Sequence, residues 1–278
     1  MYTNVSVFAI MKDSTRSLLF GVFVLAGKPL TAAEVIRLIA PLGVSATNTK
    51  SHLTRLVAEG TLDRRGPVRA QLYTPSRGQS VVVEGIRTRL REEPPEAWDG
   101  TWLALTLRLP ADRRRRETLA ASLWFDGFRP WAPGTFLRPT WPERWALGRA
   151  KHYLAHAPGF SLRGSFVEPL NLRRVANLYD LAALDRQARA LAGWVRRQEG
   201  IHSTAERTFA TRLKVGGSVA RLVGHDPRLP PELWGQRRGM RDLVRAYDQF
   251  DSRLAPLAQR FVEQVVAESR GRVGPGAG

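Results

Sequence analysis

The stretch TAAEVIRLIAPLGVSATNTKSHLTRLVAEGTL, Thr31 to Leu62, decides how the N-terminal part of this chain is read. Thr31 with Glu34 three residues on is a capping box, and Val35, Leu38 and Ile39 fall on one side of the helix it opens. Pro41 stops that helix and Gly43 makes a turn. Ser45 then caps a second helix, in which Leu53 sets the core direction and Ala46, Thr49, Leu56 and Val57 lie within about 60° of it at 100° per residue. Thr47, Asn48, Ser51, Thr54 and Arg55 face away, with Lys50 and His52 flanking them.

Working outward, residues 14 to 26 place Leu18, Leu19, Val22, Phe23 and Ala26 at helical spacing behind a Ser14 cap, and Gly27-Lys28-Pro29 ends the run. On the other side come Gly60-Thr61-Leu62, then Arg64-Arg65-Gly66-Pro67, then Arg69 to Tyr73. That is a short strand, a basic Gly-Pro turn and a second strand, a wing whose tip is flanked by Arg64, Arg65 and Arg69. Three helices and a wing in this order predict a winged helix-turn-helix. The outward face of its third helix offers residues that suit a major groove: Asn pairs with adenine, Arg with guanine, and small hydroxyls meet base edges or phosphates. The expected DNA-binding set is therefore Thr47, Asn48, Lys50, Ser51, Thr54 and Arg55 on the helix, and Arg64, Arg65 and Arg69 on the wing. The same fold also serves as a protein contact, which is the alternative reading of this module.

A chain of 278 residues with 43% hydrophobic content has room for two or three domains. No run approaches the ~20 apolar residues of a membrane span. Residues 2 to 11 lack a basic leader and a cleavage site, so the expected location is cytoplasmic, in contact with the nucleoid. With no cysteine, disulfides, thiolate zinc sites and cysteine nucleophiles are excluded. The net charge of +18 favours a polyanionic partner. The excess is spread, +6 over residues 1 to 93, +4 over 94 to 170 and +8 over 171 to 278, so charge alone does not locate a DNA-reading face. Only five of the 43 basic residues are lysine, and a GC-rich coding sequence is the competing source of such an arginine bias, with a nucleic-acid partner the favoured one.

Residues 77 to 93 read as a linking helix ended by Pro94-Pro95. Beyond it, Trp102 to Leu109 alternates as a half-buried strand, a basic helix follows, GTFLRP (Gly134 to Pro139) gives a second strand, residues 142 to 157 a helix and Phe160 to Glu168 a further strand. This order suits a ferredoxin-like unit. Arg113 to Arg116 form a run of four cations at the start of its first helix, an unfavourable place for positive charge; a solvated face and a phosphate site are the two readings. Six tryptophans (Trp98, Trp102, Trp124, Trp131, Trp141, Trp145) crowd this region, either as core or as the lining of an aromatic effector's pocket. Residues 172 to 198 carry one long apolar helical period, and helices over 204 to 224 and 237 to 268 complete a helical end that also suits a dimer interface.

The run from Arg16 to Leu62, together with WDGTW (Trp98 to Trp102), Leu109-Pro110, LWFDGF (Leu123 to Phe128), APGTFLRP (Ala132 to Pro139), LYDLAAL (Leu178 to Leu184) and DPRLPPELW (Asp226 to Trp234), resembles the PaaX family of regulators of phenylacetate and related aromatic catabolism. The resemblance implies an α+β chain of three domains: a winged helix-turn-helix with its linking helix (1 to 93), a central ferredoxin-like domain (94 to 170) and a helical C-terminal domain (171 to 278). It implies a repressor of an aromatic-acid catabolic operon, a homodimer on a double-stranded DNA operator, released by an acyl-CoA thioester effector such as phenylacetyl-CoA. The effector-binding residues stay unassigned, and no cofactor beyond that effector is implied. Two departures stand out: Thr49 lies where the family usually carries valine, and Gly217-Ser218-Val219 replaces a His-Glu-aromatic run.

Enzyme chemistry finds little support. His152 and His156 at i, i+4 could clamp a metal, but the usual zinc site needs a third protein ligand and none is nearby in sequence. GGSVA (Gly216 to Ala220) echoes a nucleophile elbow without the strand that must precede it. The strand from Trp102 lacks the aspartate that metal-dependent nucleases with ferredoxin-like units place there, which leaves nucleic-acid binding through the basic central domain as the remaining alternative. The expectation is a binding protein with no catalytic residues and no metal.

Overall fold

The computed structural model describes residues 14–67, 71–91, 97–167, 172–198, 204–234 and 238–271. About 67% of these residues are helical and the strands form two small antiparallel sheets, which makes the chain α+β. It divides into two units: residues 1–91 with 189–222 and 242–278, and residues 92–188 with 223–241. Residues 171 to 278 are thus shared between the two. Among the described residues no helix is long and apolar enough to cross a membrane.

The first unit opens with α1 (Thr15–Ala26), β1 (Leu30–Thr31) and α2 (Ala32–Ile39), followed by a 3-10 turn at Ala40–Leu42 that contains Pro41. Then come α3 (Ala46–Ala58), β2 (Leu62–Arg65), β3 (Leu72–Pro75) and α4 (Arg77–Arg91). The caps are those expected. Ser14 accepts from the Ser17 N–H, Gly27 closes α1 at φ 64°, and Ser45 accepts from the Asn48 N–H. Leu19, Val22, Val35, Leu38, Ile39, Leu53 and Leu56 form one core, completed by Leu30, Leu62 and Tyr73 from the strands. The same core takes in Phe209 and Leu213 of α9 (Ala205–His225), and Ala258, Val262 and Val265 of α11 (Arg238–Gly271).

Two details depart from the expected hairpin. The sheet has three strands, in the order β1-β3-β2, because the two residues before α2 also pair. Arg64 and Arg65 lie within β2 instead of in the turn, opposite Tyr73 and Leu72. Burying Leu62 and Tyr73 on one face fixes that register, and the pairing then extends through the arginines, whose side chains stay in solvent.

The second unit contains β4 (Trp102–Leu107), α5 (Arg113–Phe125), β5 (Arg129–Ala132), β6 (Thr135–Pro139), α6 (Glu143–Leu154) and β7 (Gly159–Gly164), with the strands in the order β5-β6-β4-β7. β5 is an addition to the strands expected from sequence, since its four residues contain a proline and no alternation. Leu103, Leu105 and Leu107 pack under α5 and α6 with Leu123, Phe128, Ala146, Ala150 and Tyr153. On the opposite face, Trp102 and Leu137 are covered by Val175 and Tyr179 of α7 (Leu172–Tyr179), by Leu181 at the start of α8 (Leu181–Arg197), and by Leu229 and Leu233 around α10 (Pro231–Trp234). The single long helix expected over 172 to 198 is two, because Asp180 adopts φ 47° between them. Gly216 to Ala220 sit inside the continuous helix α9, with no strand before them.

Candidate nucleic-acid interface

Helix α3 presents two faces. Inward, Leu53 and Leu56 are buried, and so is Thr49, whose hydroxyl donates to the Ser45 carbonyl at 2.9 Å. A valine would fill the same space; the threonine instead satisfies its hydroxyl within the helix, so burying it leaves no polar group unpaired. Outward, Thr47, Asn48, Lys50, Ser51, Thr54 and Arg55 are all exposed, while His52 is half-buried. Ala46, expected to turn inward, is exposed where it opens the helix.

Among the described residues, Lys50 and Arg55 take part in no ion pair. The Thr54 hydroxyl donates to the Lys50 carbonyl at 3.1 Å. Positions 47, 51, 54 and 55 recur at three- and four-residue spacing, so they share one stripe. That stripe carries Arg55 and the hydroxyls of Thr47 and Ser51, with Asn48 and Lys50 beside it, and is chemically able to take base edges and phosphates.

The mounting of α3 is stiff. Thr61 donates its N–H to the Leu56 carbonyl and accepts the Ser76 N–H, which joins the end of α3 to both strands of the hairpin. Arg16 of α1 pairs with Glu59 at 2.7 Å and reaches the Thr61 hydroxyl at 3.4 Å. Arg64 and Arg65 are exposed at the end of β2, next to Gly66 at φ 97°, a left-handed conformation suited to glycine. Arg69, the third wing residue expected from sequence, lies outside the described residues.

The Arg113 to Arg116 run is accommodated locally. Asp112 caps α5 by accepting the Arg115 N–H at 2.8 Å, placing a carboxylate where the helix dipole favours one. Arg113 pairs with Glu117 and Arg116 donates to the Pro110 carbonyl, while Arg114 and Arg115 are exposed. The rings of His152 and His156 lie 4.7 Å apart, and His156 Nδ1 sits 2.8 Å from the His152 carbonyl oxygen, so that nitrogen is engaged locally. Burial, then the Arg149 and His156 charges, hold His152 below its ordinary value. Among the described residues no three potential ligands gather as a metal site.

The tryptophans form edge contacts and cation stacks. Trp98, Trp102, Phe166 and Trp131 make a chain of ring contacts 5.5 to 5.9 Å long, and Arg174 lies 4.4 Å over Trp131. Two arginines that sequence reading did not single out are fully buried here. Arg138 bonds the carbonyls of Pro139, Asp126 and Trp141 and stacks 4.3 Å from Trp145. Arg129 is 1% exposed, donates to the Trp124 and Phe128 carbonyls, and lies between the Trp124 and Tyr179 rings at 3.6 and 4.9 Å. Beside them, Asp126 Oδ2 accepts from both Arg149 and the Tyr153 hydroxyl at 2.6 Å. The signal available in sequence was the pairing itself: arginines in strands next to a surplus of tryptophans, where guanidinium stacking is the physical reason to find both.

The fold is similar to that of protein Rv0674 from Mycobacterium tuberculosis. That protein is described only as uncharacterized; it is 22% identical, with a TM-score of 0.54 over 89% of this chain and 98% of that one. This likeness bears on fold alone. No family model matches the chain, and no curated protein does.

Proposed function

We propose that the chain is a DNA-binding transcriptional regulator that reads its operator with a winged helix-turn-helix made of α1 to α3 and β1 to β3. The observation that carries this reading is the outward face of α3, where Thr47, Asn48, Lys50, Ser51, Thr54 and Arg55 are all exposed on a helix capped by Ser45 and braced at its C-terminal end. The element order supports it: helix, helix, glycine turn, capped helix and basic hairpin are the parts of a major-groove reader. Arg64 and Arg65 on β2 then meet the backbone or the minor groove.

The rest of the reading follows the resemblance to the PaaX family. In it the chain is a homodimeric repressor of an aromatic-acid catabolic operon, working at the nucleoid and released by an acyl-CoA thioester. β4 to β7, with the order β5-β6-β4-β7 and two helices on one face, are read as the central ferredoxin-like unit, and α7 to α11 as the helical end.

The test is a mobility-shift assay on the DNA upstream of the gene, at stated salt, with and without a panel of aryl- and acyl-CoA thioesters. A shift that the Thr47→Ala, Arg55→Ala double variant loses while keeping its circular dichroism supports the reading. Equal affinity of the variant and the parent for that DNA overturns it. Release by one thioester names the effector class; binding that persists with all of them removes the thioester from the proposal.

A further inference from the structure

We propose that β7 is the surface through which two copies of the chain pair, edge to edge, about a two-fold axis at Ser161. The proposal deepens the dimer element of the reading above and rests on that element alone.

β7 ends the order β5-β6-β4-β7, so among the described strands nothing lies on its outer side. Its backbone groups can be assigned. Arg108 N–H donates to the Pro158 carbonyl, and the register places Thr106 opposite Phe160, Ala104 opposite Leu162 and Trp102 opposite Gly164. Hydrogen-bonded pairs alternate along an antiparallel ladder, so the even-numbered residues of β7 bond to β4. Gly159, Ser161 and Arg163 therefore direct their N–H and C=O groups outward. Such an edge is a template for another strand, and folded proteins usually blunt it with charge, proline or a covering element. Among the described strands none pairs with it, β7 contains no proline, and its one charge, Arg163, is engaged by Asp99 and Glu143. Phe160 is 54% exposed and Leu162 62%.

The strand's own sequence favours a second copy as the occupant. With Ser161 opposite the second copy's Ser161, Phe160 falls opposite the second copy's Leu162 and Leu162 opposite its Phe160. Two apolar cross-strand pairs result on one face. The only charged residue, Arg163, falls opposite glycine and not opposite itself, and it is already paired with Asp99 and Glu143. A chain of net charge +18 thereby approaches its copy with no like charges opposed on the strand. The outward groups of Gly159, Ser161 and Arg163 complete a ladder centred on the axis, joining the two four-stranded sheets into one. The contact is isologous, as a two-fold requires.

Sedimentation equilibrium on the full chain across the micromolar range tests this. Twice the 31.1 kDa chain mass is expected, falling to the single-chain mass in Ser161→Pro and in Leu162→Lys. Proline at 161 removes an outward N–H and leaves the bonds to β4 intact, so near-ultraviolet circular dichroism should stay that of the parent. Because the chain has no cysteine, Ser161→Cys provides a second measurement that does not depend on a disruptive change. Hydrogen-bonded antiparallel pairs hold Cα atoms about 5.5 Å apart, within disulfide range. Oxidation should link Ser161→Cys chains at least about tenfold faster than chains carrying exposed Ser122→Cys. Single-chain mass for the parent overturns the proposal, whatever the DNA assay gives. So does a dimer indifferent to both β7 variants, or equal cross-linking at 161 and 122.

Discussion

Arg270 Nε donates to Glu34 Oε1 at 3.1 Å, across 236 residues of sequence, and Glu34 is fully buried. The other oxygen of Glu34 accepts the Thr31 N–H at 2.6 Å, closing the capping box of α2. One carboxylate thus starts a helix of the proposed reader and ties it to the C-terminal helix α11. One turn on, Arg37 pairs with Glu268 at 2.5 Å.

Removing Glu34 should be costly because two donors lose their acceptor at once. Glu34→Ala is expected to lower unfolding free energy by about 2–3 kcal/mol. Arg270→Ala should cost only about 1 kcal/mol, since the arginine is 56% exposed and screened by water. Denaturant unfolding of both variants and of the double variant checks this, with the two losses adding to more than the double variant shows. A Glu34→Ala change within about 0.5 kcal/mol of the parent would refute it.

On DNA, the two groups of arginines should behave differently. Arg64→Ala and Arg65→Ala should each weaken binding to all sequences alike and flatten the plot of log K against log salt by about 0.9 for each phosphate no longer neutralised. Arg55→Ala should cost about 1–3 kcal/mol on the operator and relax selectivity at one base pair. Fluorescence anisotropy on operator and scrambled duplexes over a salt series separates the two. Parallel salt slopes for all three variants and the parent would remove the wing from the interface.

At Arg129, burial pushes the guanidinium down to about 10, well below its ordinary value. The unfolded chain therefore holds that proton more tightly. The penalty is fully present at neutral pH and is relieved only as pH rises past about 10 towards the ordinary guanidinium value. Arg129→Met, which keeps the volume between Trp124 and Tyr179 and removes the buried charge, should melt within a few degrees of the parent or above it. Arg129→Ala leaves a cavity and should lose about 3 kcal/mol. Equal losses in thermal melts would mean that the two carbonyl bonds and the ring stacking outweigh the cost of burying the charge.

His152 should titrate below 6.5 in a proton NMR pH series on the native chain, held down first by burial and then by the Arg149 and His156 charges. The sign follows: the unfolded chain takes the proton more readily, so this group's contribution to stability falls as pH drops through 6.5 towards the folded value. A midpoint at or above 6.5 would remove both causes.

Much of the N-terminal part was legible because its signals are local. Ser14, Thr31 and Ser45 cap helices through groups three residues away, Gly43 and Gly66 turn the chain where φ must be positive, and the apolar positions of α1 to α3 recur at helical spacing. The strand boundaries were less legible. β1 and β5 exist because a neighbouring strand offers them hydrogen bonds, not because their own residues alternate. The break at Asp180 was hidden for the same reason: the apolar period runs through it, and only the packing of Tyr179 and Leu181 on the sheet sets the angle there.

By itself, then, the sequence determined the caps, the turns and the two faces of α3, since each depends on side chains within about one helical turn of each other. The tertiary structure alone decided what those elements lean on. It brought Arg270 to Glu34, divided residues 171 to 278 between two units, buried Arg129 and Arg138 against tryptophans, and set β7 last in its sheet with Phe160 and Leu162 exposed. These depend on residues far apart in the chain meeting one another, and a local pattern of apolar and polar residues does not specify which distant surface will meet it.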